Sequence, residues 1–96
     1  MILPGEQEIV GHWKFADGKM SADKAAIRIS KVVKDHLIEV ARDSSGWDVL
    51  YRDPNDGRHW ELTYPQSEMH GGGPPKLKCL STDEVRMKYG EAAFGR

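Results

Sequence analysis

Apolar and polar residues alternate in two neighbouring segments of the chain, Trp47 to Asp53 and Arg58 to Tyr64. A period of two is typical of a strand with one covered face. Between them lies Pro54-Asn55-Asp56-Gly57, in which proline presets one turn position and glycine accepts a positive φ. The segments therefore predict an antiparallel hairpin with a four-residue loop.

The alternation also fixes the register of this hairpin. Pairing Asp53 with Arg58 places three apolar pairs on one face, namely Tyr51 with Trp60, Val49 with Leu62 and Trp47 with Tyr64. The opposite face is more polar and is expected to be solvated; it pairs Asp48, Leu50 and Arg52 with Thr63, Glu61 and His59. Because a slip of one residue would exchange the faces, the pattern predicts this pairing, with the aromatic row mostly in the core.

A helical rhythm follows Ser21, with apolar residues three or four positions apart. Its predicted buried face comprises Ala22, Ala25, Ala26, Ile29, Val32, Val33, Leu37 and Val40. Serine is a favoured N-cap, and Gly46 is the candidate C-terminal breaker. We therefore expect one long helix from Ser21 to about Arg42.

Shorter elements flank the helix and the hairpin. A strand is predicted over Glu8 to Phe15, with a turn at Asp17-Gly18 and a possible return strand at Lys19-Met20. After a loop over Gln66 to Pro75, Lys76 to Leu80 reads as a short strand, with Leu80 facing outwards unless the strand twists or ends there.

The C-terminal part of the chain predicts a second, shorter helix. Ser81-Thr82-Asp83-Glu84 has the spacing of a capping box, and Gly90 ends the helix that follows. The tail from Glu91 to Arg96 is expected to be frayed. We expect a single domain over residues 1–96 of the α+β class. It has a small, mainly antiparallel sheet, one long helix packed on a face and a short C-terminal helix, in the order β-α-β-β-β-α.

Charge and cysteine content narrow the functional classes. The chain has 14 Lys and Arg against 15 Asp and Glu, without a strongly basic segment, which disfavours nucleic acid as a partner. Cys79 is the one cysteine; it suits a reducing compartment and reads as a buried, unreactive thiol. Neither a signal peptide nor a membrane-spanning run is recognisable, so we expect a cytoplasmic protein.

Two sets of residues suggest chemistry without specifying it. Gly71-Gly72-Gly73 leads into two prolines and a strand, whereas a phosphate loop leads into a helix; the segment reads as a shaped loop or one offered to a partner. His59, Glu61, Glu68 and His70 have no metal-ligand spacing, and would form a hydrolytic site only if the fold enclosed them. No cofactor or small-molecule substrate is expected.

The segments Leu50 to Arg58, His59 to Glu68 and His70 to Pro75 resemble the immunity protein 27 family of bacterial polymorphic toxin systems. The similarity covers about Trp47 to Tyr89, and more loosely Val10 to Trp13 with the long helix. An aspartate and a Gly-Gly-x-Pro element mark the family. Asp53 or Asp56 matches the first, and Gly72-Gly73-Pro74-Pro75 or Gly71-Gly72-Gly73-Pro74 matches the second.

The resemblance implies a non-enzymatic protein that binds and neutralises a cognate toxin. Candidate partner-binding residues are Asp53, Asp56, Arg58, Glu61, Glu68, His70, Gly72, Gly73 and Pro74. The alternatives are a small metal-dependent or acid–base hydrolase using His59, Glu61, Glu68 and His70, and a structural interaction module within a larger assembly. Inhibitors of nucleases are often strongly acidic, whereas the net charge of this chain is only −1.

Overall fold

The computed structural model describes residue 2 and residues 5–16, 18–65 and 73–94. Over these residues the chain forms seven strands, two α-helices and a short 3₁₀ helix. The strands are β1 (Glu8–Val10), β2 (Trp13–Ala16), β3 (Lys19–Ala22), β4 (Ile38–Arg42), β5 (Val49–Arg52), β6 (His59–Thr63) and β7 (Lys76–Leu80). The helices are α1 (Lys24–Asp35), α2 (Thr82–Tyr89) and the 3₁₀ helix Glu91–Phe94.

Five strands make an antiparallel sheet in the order β1-β7-β6-β5-β4, and β2 and β3 form a separate two-stranded ribbon. The predicted α+β class is therefore confirmed. The return strand after Gly18 is also confirmed, as β3, while Asp17 lies outside the described residues.

The predicted hairpin is confirmed in register. Tyr51 pairs with Trp60 and Val49 with Leu62. At the turn, the amide of Asp53 donates a 2.8 Å hydrogen bond to the carbonyl of Arg58. The strand begins only at Val49, two residues later than the alternation predicted.

The predicted long helix is wrong beyond its middle. Helix α1 ends at Asp35, and Ile38–Arg42 forms the edge strand β4 against β5. The segment satisfies both patterns, since Val40 falls on the predicted helical face, and Ile38, Glu39 and Val40 also alternate as in a strand. Pairing with β5 decides the outcome, because it gives the backbone a ladder of hydrogen bonds. Gly46, with φ +80°, therefore shapes the β4–β5 turn rather than ending a helix.

The start of α1 also differs from the prediction. Asp23, not Ser21, is the N-cap, and its carboxylate accepts a 2.8 Å hydrogen bond from the amide of Ala26. This contact lowers the pKa of Asp23, because hydrogen bonding favours the ionised form. Ser21 belongs instead to β3.

The single strand predicted over Glu8 to Phe15 is split at Gly11 between β1 and β2. Gly11 is buried, and its amide donates a 2.8 Å hydrogen bond to the carbonyl of Pro75. A Cβ at this position would lie 2.9 Å from the Cβ of Ala26. The chain therefore leaves the sheet where only glycine lets α1 approach the backbone.

Apolar side chains cover both faces of the sheet. One cluster joins Ile29 and Val32 of α1 to Tyr51, Trp60 and Leu77. The other joins Leu50 and Leu80 to Val85 of α2 and Ala93 of the 3₁₀ helix.

Two predictions about the second face are corrected by this packing. Leu80 does point away from Leu77, but it is 9% exposed because α2 covers it. Residues 91–94 of the tail form a 3₁₀ helix with Ala93 buried against the sheet, while Gly95 and Arg96 lie outside the described residues. The capping box of Ser81 and Glu84 is confirmed, and α2 ends before Gly90. Within the described residues, neither α-helix is long and apolar enough to cross a membrane.

Candidate functional site

The candidate residues lie at three separate places on the fold. Asp53, Asp56 and Arg58 form the β5–β6 tip, at the end of β6 where His59 pairs with Leu80. Gly73 and Pro74 precede β7 at the other end, where Lys76 pairs with Thr63, about 13 Å away along the strand. Glu61 lies between them. Glu68, His70 and Gly72 lie outside the described residues.

Asp53 is buried and shapes the tip from within. It is 1% exposed, and its Oδ1 accepts a 2.8 Å hydrogen bond from the amide of Asn55. Nε2 of His36, at the end of α1, lies 3.0 Å from the same oxygen. The carbonyl of Asp53 accepts from the amide of Gly57 at 2.8 Å. These contacts hold the turn in one conformation.

Asp56 and Arg58 form the outer surface of the same tip. The amide and Nε of Arg58 donate to the Asp56 carboxylate at 3.0 and 2.7 Å. The backbone hydrogen bond and the neighbouring guanidinium lower the pKa of Asp56, so it is ionised at neutral pH. Arg58 also reaches the carbonyl of Glu6 at 2.6 Å and lies 4.9 Å above the ring of Trp60.

Glu61 joins the sheet to α2 and is buried, contrary to the expected solvated face. Its Oε2 accepts a 2.6 Å hydrogen bond from the hydroxyl of Tyr89 and lies 2.6 Å from Nζ of Lys88. Lys88 also binds Asp48 at 2.7 Å. Burial and the Glu61 carboxylate raise the pKa of Tyr89, so its hydroxyl stays protonated as the donor.

Of the other members of the hydrolase alternative, His59 is described, whereas Glu68 and His70 lie outside the described residues. His59 packs edge-on against Phe94, with ring centroids 5.5 Å apart, and burial followed by the charge of Arg52 lowers its pKa. Within the described ranges, three His, Cys, Asp or Glu side chains do not come together in a metal-binding arrangement. Cys79 is half-buried against the core, and burial raises the pKa of its thiol.

The Gly/Pro segment meets the fold at the opposite end of the sheet. Gly73 has φ +68°, a conformation that favours glycine, and both Gly73 and Pro74 are buried. Pro75 contributes to a small cavity of about 170 Å³ together with Val10, His12 and Pro65. The two prolines thus pack into the structure where β7 begins.

Sequence reasoning assigned Trp47 mostly to the core, but its side chain is 61% exposed. It lies in the β4–β5 loop and contacts Tyr64 edge-on, with ring centroids 6.2 Å apart. The exposure of Trp47 could have been predicted from Ser44-Ser45-Gly46, which immediately precede it. These residues favour a turn, and a turn there brings the next residue to the surface.

The loop that carries Trp47 is internally hydrogen-bonded. Oδ1 of Asp43 accepts from Ser45 Oγ at 2.7 Å and from the amides of Gly46 and Asp48 at 3.0 and 3.3 Å. The amide of Trp47 donates to Ser45 Oγ at 3.1 Å. The Ser45 hydroxyl, followed by the backbone amides, lowers the pKa of Asp43. The loop therefore presents an aromatic side chain on an ordered backbone.

A family model described as Immunity protein 27 matches residues 15–81, which is more than two thirds of the chain. The matched range contains α1, β4 to β7, the β5–β6 tip and the Trp47 loop. It therefore supports the resemblance that the sequence suggested. Neither curated proteins nor solved structures gave a match.

Proposed function

The chain belongs to the immunity protein 27 family, and on that premise we propose that it binds and neutralises a cognate bacterial toxin. The family match is the observation that carries this proposal. Inhibition is stoichiometric, through a protein–protein interface, with no catalytic step by this chain. The setting is a polymorphic toxin system, with the inhibitor held in the bacterial cytoplasm.

The β5–β6 tip supports an inhibitory role because it is ordered before any partner arrives. Asp53 fixes the turn from below, while Asp56 and Arg58 are held by each other. A preordered loop loses little conformational entropy on binding, and that saving appears as affinity. Asp56 and Arg58 are the tip side chains we propose to face the toxin.

The remaining candidates have different parts in this proposal. Asp53 and Glu61 act as internal supports, since they are 1% and 7% exposed. Gly73 and Pro74 anchor the start of β7, since both are buried. Glu68, His70 and Gly72 stay proposed contacts on the family resemblance alone.

The decisive experiment is co-expression with the product of the neighbouring toxin gene, followed by affinity capture. We expect a one-to-one complex and growth rescue of cells that express the toxin. An unrelated toxin, expressed at the same level, serves as the specificity control. Failure to bind or to rescue, with both proteins shown to be folded, would refute the proposal.

The tip is tested by Asp56→Ala with Arg58→Ala, each measured for toxin affinity and for unfolding in urea. If the replaced residue contacts the toxin, its substitution weakens binding and leaves the free energy of unfolding unchanged. Arg58 also supports the fold through Glu6, so Asp56→Ala is the cleaner of the two variants. Lys31→Ala, on the exposed face of α1, is a matched charge-removal control.

A further inference from the structure

Some large apolar side chains of this protein are exposed to solvent. Among the described residues, those exposed are Val10, Phe15, Ile27, Ile38, Trp47 and Met87. Phe15 and Trp47 are the aromatic members of that set. Phe15 lies on the two-stranded ribbon outside the main sheet, whereas Trp47 lies on a loop between two strands of that sheet.

Trp47 has the physical features of an interface anchor. Tryptophan is enriched among the residues that dominate binding free energy, and such residues act through burial of a rigid aromatic surface. The Asp43 and Ser45 hydrogen bonds already order the loop. Tyr64 supports the indole from the side. Insertion into a partner therefore gains apolar burial at a small entropic cost.

Trp47 and the β5–β6 tip fit within one interface. They lie beyond the two ends of β5, and the six residue steps from Trp47 to Asp53, at the base of the tip, span about 20 Å. An ordinary interface covers about 800 Å² on each partner, a patch about 28 Å across. A single toxin surface can therefore contact Asp56 and Trp47 together.

Two ion pairs near Trp47 and the tip form within the chain. Asp56 pairs with Arg58 at 2.7 Å, and Glu39 pairs with Arg42 at 3.0 Å on β4. A surface of internally paired charges complements a near-neutral partner better than a strongly basic groove.

We propose that Trp47 is the anchor of the toxin interface and inserts its indole into an apolar, near-neutral pocket of the cognate toxin. This inference rests on the proposed function and specifies its chemistry. Tyr64 holds the indole in its binding position. The Asp56–Arg58 tip and the Glu39–Arg42 pair form the polar rim of the same interface.

The test compares Trp47→Ala with Met87→Ala for binding to the purified toxin by surface plasmon resonance. Met87 is 89% exposed on α2, so its truncation is the matched apolar control. Trp47→Ala should raise the dissociation rate about 30-fold or more and leave the association rate within about three-fold. Met87→Ala should stay within about two-fold of wild type on both rates.

Salt dependence tests the neutral character of the pocket. The wild-type association rate should change less than about three-fold between about 0.05 and 0.5 M salt. A fall of about 100-fold would indicate electrostatic steering by a strongly charged toxin surface and would overturn the near-neutral pocket.

Hydroxyl-radical footprinting of the wild-type protein is independent of how well the variant folds. Oxidation of Trp47 should fall about ten-fold or more in the complex, because the indole is then buried. Unchanged oxidation, or a wild-type dissociation rate for folded Trp47→Ala, would overturn the anchor while the inhibitor function stands. If the wild-type protein neither binds the toxin nor protects cells, the proposed function itself fails.

Discussion

The hydroxyl of Tyr89 donates a 2.6 Å hydrogen bond to Oε2 of Glu61, and this contact joins α2 to the centre of the sheet. Nζ of Lys88 lies 2.6 Å from the same oxygen. A buried carboxylate costs free energy unless it is hydrogen-bonded and paired. Tyr89 and Lys88 therefore permit an acidic residue in the middle strand of the sheet.

Replacing Tyr89 by phenylalanine removes the donor and leaves the Glu61 carboxylate under-satisfied. We expect the free energy of unfolding to fall by about 1–3 kcal/mol, as for other hydrogen bonds to charged groups. Equilibrium unfolding in urea measures the change. Met87→Ala on the same helix should change it by less than about 0.5 kcal/mol. Equal midpoints for Tyr89→Phe and wild type would contradict the role given to this bond.

The same contact predicts a loss of stability at alkaline pH. Burial and the Glu61 carboxylate raise the pKa of Tyr89 above its value of about 10 in the unfolded chain. The folded state thus holds the phenolic proton more tightly, and stability falls as the pH rises above about 10. The Tyr89→Phe variant lacks this proton. The difference between its free energy of unfolding and that of wild type should therefore shrink between about pH 9 and 11. A constant difference between the unfolding free energies of the two proteins across that pH range would contradict the prediction.

The hairpin was predictable because its information is local. A proline–glycine turn joins two alternating segments, and one register places Tyr51 opposite Trp60. The capping box at Ser81 was predictable for the same reason, since its two partners lie three residues apart. Both features depend on neighbours in the sequence rather than on distant contacts.

The errors arose where distant contacts decide the structure. Residues 38–42 suit a helix or a strand, and pairing with β5 selects the strand. Glu61 looked solvated because the short α2 gave little sign that it covers the sheet. Asp53 and Asp56 are both acidic turn residues, yet the first is buried beside His36 and the second is exposed. Composition alone does not separate an internal support from a surface contact.

Gly11 packs closely against Ala26 of α1, and Gly11→Ala should be destabilising. The added Cβ would lie 2.8 Å from the carbonyl oxygen of Pro75 and 2.9 Å from the Cβ of Ala26. Overpacking of this kind costs about 1–3 kcal/mol. Gly5→Ala is the matched control, because a Cβ there meets nothing within 4 Å. Thermal unfolding measures the effect of each substitution. An equal decrease in the melting temperature of both variants would show that the Gly11 contact is unimportant.

Asp53→Ala and Asp53→Asn separate a structural role for this aspartate from a direct contact with the toxin. Alanine removes the acceptor shared by Asn55 and His36 and should cost about 1–3 kcal/mol in urea unfolding. Asparagine keeps an acceptor oxygen and should lose less. Because the residue is 1% exposed, folded Asp53→Asn should bind the toxin within about three-fold of wild type. A folded Asp53→Asn variant that binds about 100-fold more weakly would instead make this carboxylate a direct determinant of toxin recognition.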